Sequence, residues 1–211
     1  METKFTEQES LSLISEMIAQ TRHNFQRGAG TSFIFNGYMA ASIALLIAVL
    51  QLVLSNPFLS FWAWLLMIPA GFIDHRIKKR VNRIAMKITH IDKIVKATWR
   101  GFTVAAILFI IVICGYGFAL KNPRILIVLT PVIMISMGIA NYITAKSSRF
   151  KPLETGAYIL WGGALACMAT TFVFGWSLSL SMAHLLIFAL CIISAFVVPG
   201  YKMNKMAKEH V

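Results

Sequence analysis

Six long apolar blocks, none with a clear Asp, Glu, Lys or Arg in its interior, fill most of this chain: 33–54, 58–73, 101–120, 125–145, 155–176 and 180–201. Few folds accommodate that pattern. Inside a bilayer every backbone N–H and C=O must be bonded within the protein, so a chain that spans it repeatedly does so as helices or as a closed barrel. Blocks of this length fit helices. The first, 22 residues long, makes ~33 Å of helix at roughly 1.5 Å per residue, close to the thickness of the hydrocarbon core. The block 58–73 is shorter and is identified by its flanks. Asn56-Pro57 makes a tight turn before it, and Asp74-His75-Arg76 opens a basic stretch after it. The expected fold is an all-α membrane protein of six transmembrane helices arranged as three helical hairpins.

Charge sets the orientation. Eighteen of the twenty Lys and Arg residues fall on one side of the six blocks. They lie in the arm 1–32 (Lys4, Arg22, Arg27), in the segment 74–100, in the turn holding Lys146, Arg149 and Lys151, and in the tail 202–211. The opposite connections carry only Lys121 and Arg124. Cations are retained in the cytoplasm during insertion, so both termini are expected there, in a multi-pass protein of the cell inner membrane. The arm is too polar for a cleavable signal, and the first block is expected to act as an uncleaved anchor. With a net charge of +12, the chain is expected to meet anionic headgroups near Arg76, Lys78, Lys79 and Arg80. Direct nucleic-acid binding is not expected, because cations beside membrane spans are ordinarily topogenic.

The connections on the far side are very short: Ser55-Asn56-Pro57, Lys121-Asn122-Pro123-Arg124 and Ser177-Leu178-Ser179. Hairpins one and three share features, Phe35-Asn36-Gly37 against Leu160-Trp161-Gly162 and Pro69-Ala70-Gly71 against Pro199-Gly200. Either a duplication or shared membrane-edge chemistry accounts for this. On the basic side, Ile77, Val81, Ile84, Ile88, Ile91 and Val95 form a narrow apolar seam, with a helix break expected near Thr89. In the arm 1–32, Leu11, Ile14, Met17, Ile18 and Phe25 mark an amphipathic helix opened by Thr6-Glu7-Gln8-Glu9. This acidic arm either docks on the basic segment 76–96 or lies separately on the membrane.

Chemistry is sparse. His184 is the ionisable side chain at membrane depth, and a hydrogen-bonded interfacial histidine accounts for it without a proton or metal role. His75 and His90 lack a third ligand at metal spacing, and Cys114, Cys167 and Cys191 stand alone inside blocks. No G-x-S-x-G, H-E-x-x-H or phosphate-loop signature occurs. The chain is therefore expected to be non-enzymatic, with no cofactor and no catalytic or metal-binding residue. Asn36, Asn141 and His184 are the candidates for a polar cavity, against the ordinary alternative of bonds between helices. Glu154 is the candidate for gating, against a simple helix N-terminal charge beside Lys151.

Several strings together resemble an uncharacterised small six-span inner-membrane protein family of bacteroidete bacteria. They are Glu9-Ser10-Leu11, Leu13-Ile14, Glu16-Met17-Ile18, Phe150-Lys151-Pro152-Leu153, Trp161-Gly162 and Val197-Val198-Pro199-Gly200-Tyr201. The resemblance covers nearly the whole chain. It implies about six spans and no established activity, and association with small winged-helix regulators would suit a signalling role. Asn36 stands where such a family would carry Trp, and Glu154 where it would carry an aliphatic residue.

Two functional classes follow. One is an interaction or sensory/regulatory membrane protein that contacts a cytoplasmic protein partner. The other is a small carrier or channel for an uncharged or hydrophobic solute, built as a homo-oligomer.

Overall fold

The computed structural model describes residues 12, 29–54, 57–84, 90–175 and 177–209. Among these residues the chain is helical throughout and contains no strand. The elements are α1 (Ala29–Val53), a 3₁₀ helix (Pro57–Leu66), α2 (Met67–Ile84), α3 (His90–Ala119), a second 3₁₀ helix (Pro123–Val128), α4 (Leu129–Ser148), α5 (Lys151–Phe174), α6 (Leu178–Ile192), a π turn (Ile193–Val197) and α7 (Val198–Glu209). The arm 1–32, apart from its last residues, and the expected break near Thr89 lie outside the described residues. So does the question of whether the arm docks on the basic segment.

Five stretches are long and apolar enough to cross a bilayer: Gly30–Val53, Lys93–Ala119, Arg124–Ser148, Lys151–Val173 and Ser179–Ala207. The protein is accordingly a multi-pass membrane protein. The block 58–73 is not among the five. Its apolar half is wound as a 3₁₀ helix, and the α-helix that follows runs directly into Arg76, Lys78, Lys79 and Arg80.

The core is built where α1, α5 and α6 meet. Ala40, Ala44 and Ala48 lie four residues apart on one buried face of α1, and Ile47 fills the gap beside them. Small residues at this spacing let helix backbones approach closely, the packing that drives association where lipid is as apolar as the side chains. α6 packs on α1, and the same core contains Leu185, Phe188, Ala189 and Ile192 of α6 with Leu160, Ala164 and Cys167 of α5. The most extensive helix pairs are α4 with α5, joined by the turn at Arg149-Phe150, and α1 with α6. A second cluster (Ala145, Phe150, Leu153 and Met203) ties the end of α4 and the start of α5 to α7. By contrast α3 is scarcely buried along its apolar length. At its basic end Trp99 stacks edge-on with Phe33 of α1 and Phe196 of the π turn, with ring centroids 5.9 and 5.7 Å apart.

Arg149 ends α4 in the left-handed conformation (φ 54°, ψ 32°), its N–H bonded to the Ala145 carbonyl. This is a position where glycine is the usual residue, and a side chain there costs about 1 kcal/mol or more. Glycine is needed elsewhere for space. A Cβ on Gly156 would sit 2.8 Å from the Ala195 carbonyl oxygen and 3.0 Å from its Cα, backbone atoms that cannot swing aside. A Cβ on Gly162, six residues along the same helix, would meet nothing within 4 Å.

These two glycines make a matched test. Gly156→Ala forces α5 off the π turn and is expected to destabilise by about 1–3 kcal/mol. Gly162→Ala, which relieves only backbone entropy, is expected to be neutral or stabilising by up to about 1 kcal/mol. Thermal unfolding of the purified protein in detergent reads both, and equal effects would contradict the close approach of α5 to the π turn.

Candidate functional site

Polar side chains inside the bundle gather in distinct groups, and the first is created by a proline. Pro199 has no N–H, so the carbonyl of Ala195, four residues earlier, lacks its ordinary α-helical donor. The chain responds by widening. The Val198 N–H reaches back five residues to the Ile193 carbonyl, forming the π turn Ile193–Val197. Asn141, fully buried on α4, donates from Nδ2 to the stranded Ala195 oxygen at 3.3 Å. Glycines let neighbouring helices close over the turn. Gly156 faces the Ala195 peptide, and a Cβ on Gly37 would lie 2.8 Å from Val197 Cγ2. Just beyond, Gly200 crosses α1 at Gly30 so tightly that its own Cβ would stand 2.9 Å from the Gly30 carbonyl oxygen. Asn204 then accepts the Gly30 N–H at 3.1 Å and so caps α1 from across the bundle.

A second group lies toward the opposite ends of α1, α5 and α6. Gln51 Nε2 donates to Ser181 Oγ at 3.0 Å, and His184 Nε2 lies 3.2 and 3.4 Å from the hydroxyls of Thr170 and Thr171. Both threonine hydroxyls also bond the Cys167 carbonyl one turn back. Gln51 and His184 are buried. Among the described residues, Gln51 Oε1, Asn141 Oδ1 and His184 Nδ1 have no hydrogen bond of normal geometry.

Two further groups sit at the basic edge. Asn36 Nδ2 bonds the Ser32 carbonyl at 2.8 Å, the Ser32 hydroxyl donates to Asp74, and Asp74 pairs with Lys78 at 2.6 Å. This string couples the start of α1 to α2. On the outer face of α4 and α5, Glu154 pairs with Lys146 at 2.6 Å and accepts from the Tyr158 hydroxyl at 3.3 Å. Lys146 lies 5.2 Å above the Tyr142 ring, and Tyr142, Tyr158 and Trp161 stack around the pair. Such amphipathic rings favour the headgroup level of a bilayer.

The four residues singled out in the sequence thus belong to four separate bonding groups that share no partner. Asn36 turns back on its own helix, Asn141 holds the π turn, His184 joins α6 to α5, and Glu154 is ion-paired outside the core. Neither of two surface concavities touches them. One, of about 370 Å³, is formed by Ile135, Ile139, Trp161, Ala164 and Leu165. The other, of about 410 Å³, is ringed by Arg149, Lys151, Lys202 and Lys205. Among the described residues no three His, Cys, Asp or Glu side chains are placed to hold a metal ion. Asp74 and Ser32 were not flagged by the sequence. They are 42 residues apart and carry no local pattern. Pro199, a proline inside an apolar block, was the available signal for the π turn.

Searches against protein-family models, curated proteins and solved structures gave no match for this chain.

The proline and Asn141 are predicted to be coupled. Asn141→Leu leaves the Ala195 carbonyl buried and unpaired, an expected loss of about 1–3 kcal/mol. Pro199→Ala restores the missing N–H, so the same Asn141→Leu change should then cost at least about 1 kcal/mol less. A double-mutant cycle by unfolding in detergent checks this, and strictly additive losses would refute the assignment.

Proposed function

We propose that this protein is a six-span inner-membrane interaction protein with sensory or regulatory character, both termini in the cytoplasm, and no catalytic activity of its own. The observation that carries the reading is where the intramembrane polar groups point. Asn141, Gln51 and His184 are each engaged in contacts between helices, each is buried, and neither concavity described above is lined by them. A carrier of polar solutes needs such groups along a passage. Here they fasten the bundle.

The length of the segment 57–73 supports a sixth span. Ten residues of 3₁₀ helix (Pro57–Leu66) at roughly 2.0 Å per residue, followed by residues 67–73 at roughly 1.5 Å, reach ~30 Å, the thickness of a hydrocarbon core. Six crossings return the chain to the compartment where it began, and the charge bias makes that compartment the cytoplasm. There the exposed Arg76, Lys78, Lys79 and Arg80 are available to anionic headgroups and to a cytoplasmic protein. The resemblance to small inner-membrane proteins of bacteroidete bacteria agrees with this placement.

A second reading, an oligomeric carrier or channel for an uncharged or hydrophobic solute, is favoured by one observation. The apolar length of α3 is exposed at Val104, Ile107, Leu108, Ile111 and Val112, five positions along one side of the helix. A second copy would cover part of that surface.

Two measurements test the proposal. Reporter fusions at residue 90 and at the carboxyl terminus should both report the cytoplasm, and opposite sides would overturn the six-span topology. Affinity purification from native membranes should recover a soluble protein in stoichiometric amount from the wild type. Replacing Arg76, Lys79 and Arg80 with Glu should abolish that recovery. Purification of the chain with itself alone, together with solute flux in reconstituted vesicles, would replace this reading with the second.

A further inference from the structure

We draw no further inference here: the strongest candidate, the polar cluster of Gln51, Ser181, His184, Thr170 and Thr171 between α1, α5 and α6, carries nothing, because nothing in the structure shows Gln51 Oε1 and His184 Nδ1, its two atoms without a hydrogen bond among the described residues, opening onto one space that a ligand would fill.

Discussion

One missing hydrogen organises the end of this bundle. Because Pro199 offers no N–H, the helix from Leu178 to Glu209 widens by a π turn, and the carbonyl of Ala195 is left for Asn141 to satisfy. The extra residue advances everything downstream by roughly 100° around the helix axis. That rotation decides which side of α7 faces inward. Met203 and Ala207 are buried, Asn204 reaches the first turn of α1, and Lys202 and Lys205 face out beside the α4–α5 turn. A straight α-helix through the same residues would not have kept both the core contacts of α6 and this arrangement of α7. Pro69, near the start of α2, likewise follows a change of helix type, there from 3₁₀ to α.

Close approach makes the remote bond possible. An amide that reaches from α4 to a carbonyl on the π turn requires backbones brought near each other, and Gly37 and Gly156 face the turn from α1 and α5. The alanine face of α1 extends the same tight packing along the core. Dispersion between closely fitted surfaces and bonds between polar side chains then hold the helices together in a solvent that gives apolar contacts little advantage. The helix α3 lacks this device. Its attachment is concentrated at Trp99, where an aromatic ring bridges Phe33 and Phe196, and along its contact with α4. The tightest and loosest parts of the fold therefore meet at the π turn, since Phe196 belongs to it.

The sequence discloses this architecture unevenly, for physical reasons. Apolar block length and charge placement are properties of contiguous segments, so the membrane class and the helical content were legible from composition along the chain. Helix type was not. The residues of 57–66 are apolar and aromatic in either winding, and nothing in their local pattern selects the 3₁₀ helix that packs against α1. Asn141 and His184 stood out as polar residues in apolar surroundings, but their partners, Ala195 and Thr170, are 54 and 14 positions away. Which of a cavity and a helix bond they serve depends on what lies opposite, and that is a tertiary fact. The Ser32–Asp74 contact is the extreme case, a serine and an aspartate with nothing in their neighbourhoods to associate them.

The electrostatics of the basic edge follow from the same geometry. The chain carries twenty Lys and Arg against eight Asp and Glu, and two of those eight are fixed in ion pairs: Asp74 with Lys78, and Glu154 with Lys146. Each pairing is set by helix position, i and i+4 in the first case and across the α4–α5 turn in the second. Both pairs therefore tie helices together at the basic edge: Lys146 with Glu154 joins α4 to α5, while Asp74, which also accepts from the Ser32 hydroxyl, joins α2 to α1.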